Sequence, residues 1–125
     1  MTGKKKILVA DDSPTNLDFL AEYFSKHGFV VEKATDGKDA LRKVKRFSPD
    51  LLLLDNIMPL MTGLELVAVL KNKAKYKKIP IIMFSAVDDA KTKAESLKLG
   101  IKDYITKPIN FSDLLARIKK VFEEV

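Results

Sequence analysis

Leu51-Leu52-Leu53-Leu54-Asp55 is the stretch of this 125-residue chain that decides its fold. Four consecutive leucines leave no polar face, so a strand made of them must be covered on both sides, as the strands of a parallel sheet are. Asp55 then stands at the carboxyl end of that strand. Ligands of open α/β sheets bind at this edge, so a carboxylate placed there is a candidate functional residue.

The composition of the chain excludes several classes of function. There is no cysteine and only one histidine, His27, which rules out disulfides, thiolate zinc sites and clusters of imidazole ligands. No apolar run approaches the roughly 20 residues of a membrane span, and residues 1–6 lack the apolar core of a secretory signal. We therefore expect one domain over residues 1–125, soluble, cytoplasmic and without a membrane partner.

The formal net charge of +6 would suit a polyanionic partner, because clustered lysines and arginines release counterions from phosphates. The basic residues are spread along the chain, however, and five lysines of segment 71–78 fall in one expected loop. A charge run of this kind is typical of a solvated surface. We expect no nucleic-acid partner for this domain alone.

Outside the leucine run, short apolar stretches alternate with stretches of helical periodicity. The expected strands are residues 7–10, 29–34, 51–54, 81–84 and 103–105, and the expected helices follow N-cap candidates such as Ser13, Thr62 and Asn110. The fourth helix, residues 90–99, offers only Ala94 and Leu97 as a thin apolar face and is expected to be the least firmly packed. Five alternations without a break predict one parallel sheet with helices on both faces and right-handed crossovers.

Polar side chains follow four of the five expected strands. Asp11 and Asp12 follow the first strand, Asp55 the third, Ser85 the fourth and Lys107 the fifth. Because the carboxyl ends of parallel strands share one edge, we expect these residues to converge. Three carboxylates a few ångströms apart repel, each pair by on the order of 4 kcal/mol at 4 Å and an effective dielectric of 20. A cation must offset this repulsion.

The convergent groups indicate phosphoryl-transfer chemistry. A site of a few carboxylate oxygens suits Mg²⁺, which keeps several waters and commonly meets a phosphate. Lys107 supplies a compact positive charge, and the hydroxyl of Ser85 supplies a donor. Such a site acts mainly by positioning groups and neutralising charge. We interpret Asp55 as a nucleophile that accepts a phosphoryl group.

The same residues resemble the receiver domain of bacterial two-component response regulators, over essentially the whole chain. The matching fragments are the Asp11-Asp12 pair, Asp55 with Pro59 four residues on, segment 58–63, the Ser85-Ala86 step and Lys107-Pro108. Each fragment alone is weak, but their order and spacing are specific. The resemblance implies a flavodoxin-like (βα)5 fold, with a doubly wound five-stranded parallel sheet in the order 2-1-3-4-5.

The resemblance also implies how the phosphoryl group arrives. Asp55 would be the phosphoacceptor, with a histidine kinase or a histidine phosphotransfer protein as the donor. Asp12, Asp55 and the backbone carbonyl of Ile57 would bind Mg²⁺, and Asp11 would act through water. The domain would not be an enzyme, although it would promote its own phosphorylation and slow dephosphorylation.

A switch and a docking surface follow from the same resemblance. Ser85 and Lys107 would contact the phosphoryl oxygens, and Tyr104 would turn inward when Ser85 moves. The Lys107-Pro108 bond would be cis. Helix four, strand five and helix five would present the surface that binds a downstream protein target.

Two positions depart from the family pattern, and two other classes of function stay open. Ile57 and Val87 flank the phosphoryl position, often carry polar side chains in the family, and cannot orient an attacking water here. A free-standing Mg²⁺-dependent phosphohydrolase with an aspartyl nucleophile typically has a second acidic residue two positions on, where this chain has Ile57. A nucleotide or nucleic-acid binder would show a Gly-x-Gly-x-x-Gly or Gly-Lys-Ser/Thr loop, which the sequence lacks. Tyr104 could also be a tyrosine at the rim of the core.

Overall fold

A computed structural model describes residues 3–85 and 90–124 of the chain, in which strands and helices alternate. The strands are β1 (Lys6–Ala10), β2 (Val30–Ala34), β3 (Leu51–Asp55), β4 (Ile81–Ser85) and β5 (Asp103–Thr106). The helices are α1 (Pro14–Lys26), α2 (Gly37–Phe47), α3 (Gly63–Lys71), α4 (Ala90–Lys98) and α5 (Phe111–Glu123). The predicted elements are all present, with ends that differ by one or two residues.

The strands form one parallel sheet in the order β2-β1-β3-β4-β5. The prediction of a five-stranded, doubly wound sheet in the order 2-1-3-4-5 is confirmed. Strand β3 lies at the centre, paired with β1 on one side and β4 on the other, and its four leucines are fully buried. Burial on both faces is the reason why this strand tolerates no polar residue before Asp55.

Successive side chains of β3 pack alternately into two separate hydrophobic cores, one on each face of the sheet. Leu52 and Leu54 belong to the core that includes Leu66 of α3. Leu51 and Leu53 belong to the other core, which includes residues of α1 and α5. This period of two places helices on both faces and leaves the ends of the strands free to form a site.

Side-chain caps fix where the helices begin, and therefore where the loops beside the site run. Ser13, Asp36 and Asn110 each accept a hydrogen bond from a backbone N–H in the first turn of their helix. Thr62, an expected N-cap, forms a capping box with Glu65 at the start of α3, with hydrogen bonds of 3.0 and 3.1 Å. The hydrogen bond that the Thr62 backbone N–H donates to the Glu65 carboxylate, together with the Thr62 side chain, lowers the pKa of Glu65.

The predicted apolar face of α4 was wrong. Ala94 and Leu97 are both exposed, and the buried residue of this helix is Ser96. The Ser96 hydroxyl donates to the Thr92 carbonyl at 2.8 Å, so the helix itself satisfies the polar group and Ser96 can pack against Met83. Serine is a polar residue, so the sequence pattern placed Ser96 on the exposed side of α4 and predicted the wrong buried face.

In the parts of the chain that the structure describes, no helix has the length and apolar character to cross a bilayer.

Candidate functional site

Three carboxylates meet at the carboxyl edge of the sheet. Asp11, Asp12 and Asp55 each offer one oxygen, and these oxygens all lie within 4.8 Å of one another. Asp11 is 0% exposed and Asp55 is 4% exposed, whereas Asp12 is open to solvent. A small cation would therefore approach from the side of Asp12 and meet oxygen ligands only, which suits Mg²⁺ or Ca²⁺.

Asp11 is held in place by the turn that leads from β1 into α1. Its backbone N–H donates to the Ala34 carbonyl at 3.1 Å, which extends the pairing of β1 with β2 by one residue. Its carboxylate accepts from the backbone N–H of Ser13 at 3.0 Å and from the side-chain amide of Asn16 at 3.4 Å. A buried carboxylate with two donors is oriented before any ligand arrives.

Asp55 is the last residue of β3, and the start of α3 packs directly against its backbone. The Asp55 carboxylate accepts from the Ile57 N–H at 3.1 Å. A Cβ atom added to Gly63 would lie 2.7 Å from the Asp55 carbonyl oxygen and 2.9 Å from the Asn56 Cα. Only glycine allows this approach, so Gly63 helps to set the position of Asp55.

Lys107 joins the ends of three strands. Its Nζ lies 2.8 Å from Asp55 Oδ2, 3.7 Å from Asp11 Oδ2 and 5.4 Å from the centre of the Phe84 ring. Burial alone would lower the pKa of Lys107, but the hydrogen bond and charge of Asp55, together with those of Asp11, raise it above its ordinary value. The lysine therefore stays protonated and offsets part of the negative charge of the cluster.

The segment after β5 reaches the site through a cis peptide bond between Lys107 and Pro108, as expected. The Lys107 N–H donates to the Ser85 carbonyl at 2.7 Å, which ties this segment to the end of β4. Ser85 itself is 2% exposed and pairs with Thr106 across the two strands. The Ser85-Ala86 step and Val87 extend into residues 86–89, which lie outside the described residues.

Two further residues named from the sequence belong to strands that end at the site, or directly follow one: Tyr104 is in β5, and Ile57 comes two residues after Asp55. Ile57 is 56% exposed and offers an apolar surface next to Asp55. Tyr104 is 6% exposed and already points into the core beneath the sheet edge. Among the residues that the structure describes, the Tyr104 hydroxyl has no hydrogen-bond partner. A buried hydroxyl without a partner costs about 1–3 kcal/mol.

Sequence reasoning assigned no role at the site to Asn16, Phe84 or Gly63. Asn16 lies in the first turn of α1, where the spacing of five residues from Asp11 could have indicated that its amide faces the end of β1. Gly63, at the first position of a helix that follows a buried strand so closely, could have indicated a tight backbone approach. Nothing in the sequence marks Phe84 as the ring beside Lys107.

A doubly wound parallel sheet with three carboxylates and a lysine at its carboxyl edge defines a receiver-type signalling domain. The family model described as "Response regulator receiver domain" matches residues 7–119, and the chain belongs to that family. It is therefore a receiver domain of two-component signal transduction.

Individual relatives show where such domains occur. The chain is 36% identical over 116 residues to hybrid signal transduction histidine kinase D of Dictyostelium discoideum, covering 93% of this chain and 7% of the kinase. It is 36% identical over 117 residues to the alkaline phosphatase synthesis transcriptional regulatory protein PhoP of Bacillus subtilis, covering 94% of this chain and 48% of PhoP. The chain thus spans less than half the length of these two relatives.

A solved structure extends the likeness to three dimensions. The crystal structure of a CheY-like response regulator receiver domain protein from Methanospirillum hungatei JF-1 has a TM-score of 0.92 with this chain and 30% sequence identity. The match covers 98% of this chain and 96% of that one. The resemblance inferred from the sequence is confirmed at the level of family and fold.

Proposed function

We propose that residues 1–125 form a single receiver domain that accepts a phosphoryl group on Asp55, in a Mg²⁺-dependent transfer from a phosphohistidine of a cytoplasmic partner. The observation that carries this proposal is the 2.8 Å contact of Lys107 Nζ with a carboxylate that two further aspartates surround. One lysine does not neutralise three carboxylates, and a divalent cation would offset the remaining charge. A histidine kinase or a histidine phosphotransfer protein is the proposed donor.

The residues present fit a Mg²⁺ ion. Asp12 and Asp55 would hold it through carboxylate oxygens, Ile57 through its backbone carbonyl, and Asp11 through a water molecule. The ion would supply positive charge beside the phosphoryl oxygens. Asp11 cannot drift away from this arrangement, because the hydrogen bonds from Ser13 and Asn16 hold its carboxylate.

The transfer makes one bond and breaks one. An oxygen of the Asp55 carboxylate attacks phosphorus and forms an acyl phosphate, while the bond from phosphorus to the histidine nitrogen breaks and its electron pair stays on that nitrogen. Lys107 and the Ser85 hydroxyl contact the phosphoryl oxygens as the charge on them redistributes. The Asp55 side chain is already oriented by the Ile57 N–H, so little ordering is needed at the moment of reaction.

A change at Ser85 could reach the surface through Tyr104. Tyr104 pairs with Met83 on the neighbouring strand, two residues before Ser85, and its buried hydroxyl lacks a partner among the described residues. We propose that Tyr104 is the switch residue and that α4, β5 and α5 bind the downstream protein target. Asp103 of β5 and Arg117 of α5 are joined at 2.7 Å, so strand and helix of this surface would move together.

Mg²⁺ is expected to stabilise the folded domain. At ten times the dissociation constant, binding to the folded state adds about 1.4 kcal/mol, which for a domain of this size raises Tm by about 3–6 °C. The measurement is a thermal melt at fixed ionic strength with and without millimolar MgCl₂, with Asp12→Asn as the variant that should lose most of the shift. An unchanged Tm in the wild-type protein would argue against a metal site.

Lys107→Met is expected to destabilise the metal-free protein by about 2 kcal/mol, less than the roughly 3–5 kcal/mol measured for fully buried pairs because Lys107 is partly exposed. Loss of the cation leaves Asp11 and Asp55 buried without their partner. Adding Asp55→Asn to this variant should recover most of the lost free energy of unfolding. Urea unfolding in EDTA measures the effect, with the exposed Lys78→Met as the matched control. Equal stability of the two lysine variants would contradict the proposed charge balance.

The phosphoryl group is expected to be long-lived, because the exposed Ile57 side chain cannot orient an attacking water. Ile57→Asn introduces an amide at this position and should shorten the lifetime of the acyl phosphate several-fold. The lifetime is measured by following the phosphorylated mass after removal of the donor. A lifetime that is unchanged or longer in Ile57→Asn would count against this explanation. Continuous turnover of a generic phosphate ester by the wild type would instead indicate a phosphohydrolase.

A further inference from the structure

A cavity of about 220 Å³ lies beside the carboxylate cluster, between α1 and the start of α5. It is lined by Asn16, Leu20, Lys107, Pro108, Ile109 and Phe111. Four of these side chains are apolar, while Asn16 and Lys107 contribute the polar part of the wall. The phosphoryl-transfer site as proposed above makes no use of this cavity.

The cavity and the carboxylate cluster share a wall. Lys107 lines the cavity and places its Nζ 2.8 Å from Asp55 Oδ2. Asn16 also lines it, and its amide nitrogen lies 3.4 Å from Asp11 Oδ2. A molecule whose charged end binds at Asp55 and Lys107 therefore has an apolar recess next to that end.

The apolar walls are fixed by the core, so the recess is a formed feature. Leu20 is 1% exposed and belongs to the core on this face of the sheet. The Phe111 ring packs against Tyr23 at 5.2 Å between ring centres, and Tyr23 packs edge-on against the buried Phe24 at 5.3 Å. An apolar cavity of about 150 Å³ is enough to bind benzene, so this recess has room for a group the size of an aromatic ring.

We propose that this cavity binds the organic group of a small-molecule acyl phosphate, and that it selects apolar, ring-sized acyl groups such as benzoyl over acetyl. The proposal rests on the proposed function, because the phosphoryl end of the donor must react at Asp55. In the reaction an Asp55 carboxylate oxygen bonds to phosphorus, the bond from phosphorus to the bridging oxygen breaks, and the electron pair leaves with the carboxylate of the donor. No proton or further reactant is required.

The chemistry of the wall decides which donor fits. In an acyl phosphate the organic group is attached one carbon beyond the bridging oxygen, so it can bend from the reacting phosphorus into a recess at the side. Leu20, Ile109 and Phe111 offer no group to solvate a charged or strongly polar substituent. A difference of even one methylene in an apolar pocket changes a rate by about tenfold or more, so a phenyl group should gain at least that much over a methyl group.

The test compares the labelling of Asp55 by benzoyl phosphate and by acetyl phosphate in the presence of Mg²⁺. The second-order rate constant for each donor is measured by intact mass, and the quantity of interest is the ratio of benzoyl to acetyl. We expect a ratio of about ten or more in the wild type and a ratio near one in Ile109→Trp, whose side chain fills the recess. Ile109→Phe serves as a second filling variant if the tryptophan disturbs folding.

Leu64→Trp is the matched control. Leu64 lines a different surface groove, between α3 and α4, and should keep the wild-type ratio. The inference would be overturned if the wild type reacted equally fast with both donors, or if both Ile109 variants kept the full preference for benzoyl phosphate. The proposed function would stand in either case, provided that acetyl phosphate still labels Asp55. A third outcome would also overturn the inference: the wild type shows no preference between the two acyl phosphates, but Ile109→Trp accepts phosphoryl groups more slowly from a phosphohistidine protein. The recess would then receive a side chain of the protein donor. Labelling by neither donor would overturn the proposed function as well.

Discussion

Replacement of Asp55 by asparagine is expected to abolish labelling of the domain by acetyl phosphate. An amide is a poor nucleophile toward phosphorus, and Asp11 is not placed to substitute for Asp55. Asp11 is fully buried, and both of its oxygens already accept hydrogen bonds. Intact mass after incubation with Mg²⁺ and donor measures the effect. We expect stoichiometric labelling of the wild type and, in Asp55→Asn, a rate lower by about a hundredfold or more, the scale of losing the attacking group itself.

The control for this experiment is Asp18→Asn, which removes an exposed carboxylate from the same chain. It should label like the wild type. Full labelling of Asp55→Asn would contradict the assignment and would direct attention to Asp12, the exposed member of the cluster.

The same replacement should raise stability in metal-free buffer. Three carboxylates face one lysine, so removal of one negative charge relieves more repulsion than the lost pair with Lys107 contributed. We expect a gain of about 1 kcal/mol, well below the Coulomb energy of an isolated pair because the introduced amide no longer attracts Lys107 as an ion. Urea unfolding in EDTA measures the difference, and a less stable Asp55→Asn would contradict the proposed repulsion.

Gly63→Ala is expected to lower both the stability of the domain and its rate of labelling. The added methyl group would meet backbone atoms, the Asp55 carbonyl oxygen at 2.7 Å and the Asn56 Cα at 2.9 Å, and neither can move without shifting the end of β3. Overpacking of this kind costs about 1–3 kcal/mol. Because the shift falls on Asp55 itself, the rate of labelling should also fall, by about tenfold or more since misplacement by about 1 Å can cost roughly a hundredfold.

Gly3→Ala is the matched control, because a Cβ atom at Gly3 would have no heavy atom within 4 Å. Thermal melts and labelling rates of the two variants should therefore diverge. If Gly63→Ala labels at the wild-type rate, the packing of α3 does not position Asp55.

The sheet could be predicted because the features that indicate its strands and helices each lie within a few consecutive residues. A run of four leucines needs cover on both faces, and caps such as Thr62 with Glu65 mark helix starts within a few residues. The convergence of Asp11, Asp55 and Lys107 could also be predicted, since it requires only that parallel strands end at one edge. These features depend on the period of the hydrophobic residues and on the order of the elements along the chain, and both can be read from the sequence.

Features that depend on packing between distant segments could not be predicted. Ser96 can lie on the buried face of α4 because its hydroxyl donates a hydrogen bond within the helix, which the hydrophobic pattern of the sequence does not reveal. The recess beside Lys107 depends on how rings and loops from separate elements meet. The close contact of Gly63 with Asp55 likewise arises only when α3 is docked on the sheet.

The most direct test of the central claim is to find which residue of the wild-type protein carries the phosphoryl group. The domain is incubated with acetyl phosphate with and without Mg²⁺, the acyl phosphate is reduced with borohydride, and the peptides are mapped by mass spectrometry. We predict that a single modified residue is found, that it is Asp55, and that it is labelled only when Mg²⁺ is present. Modification of another residue, or equal labelling of Asp55 without the metal ion, would contradict the account.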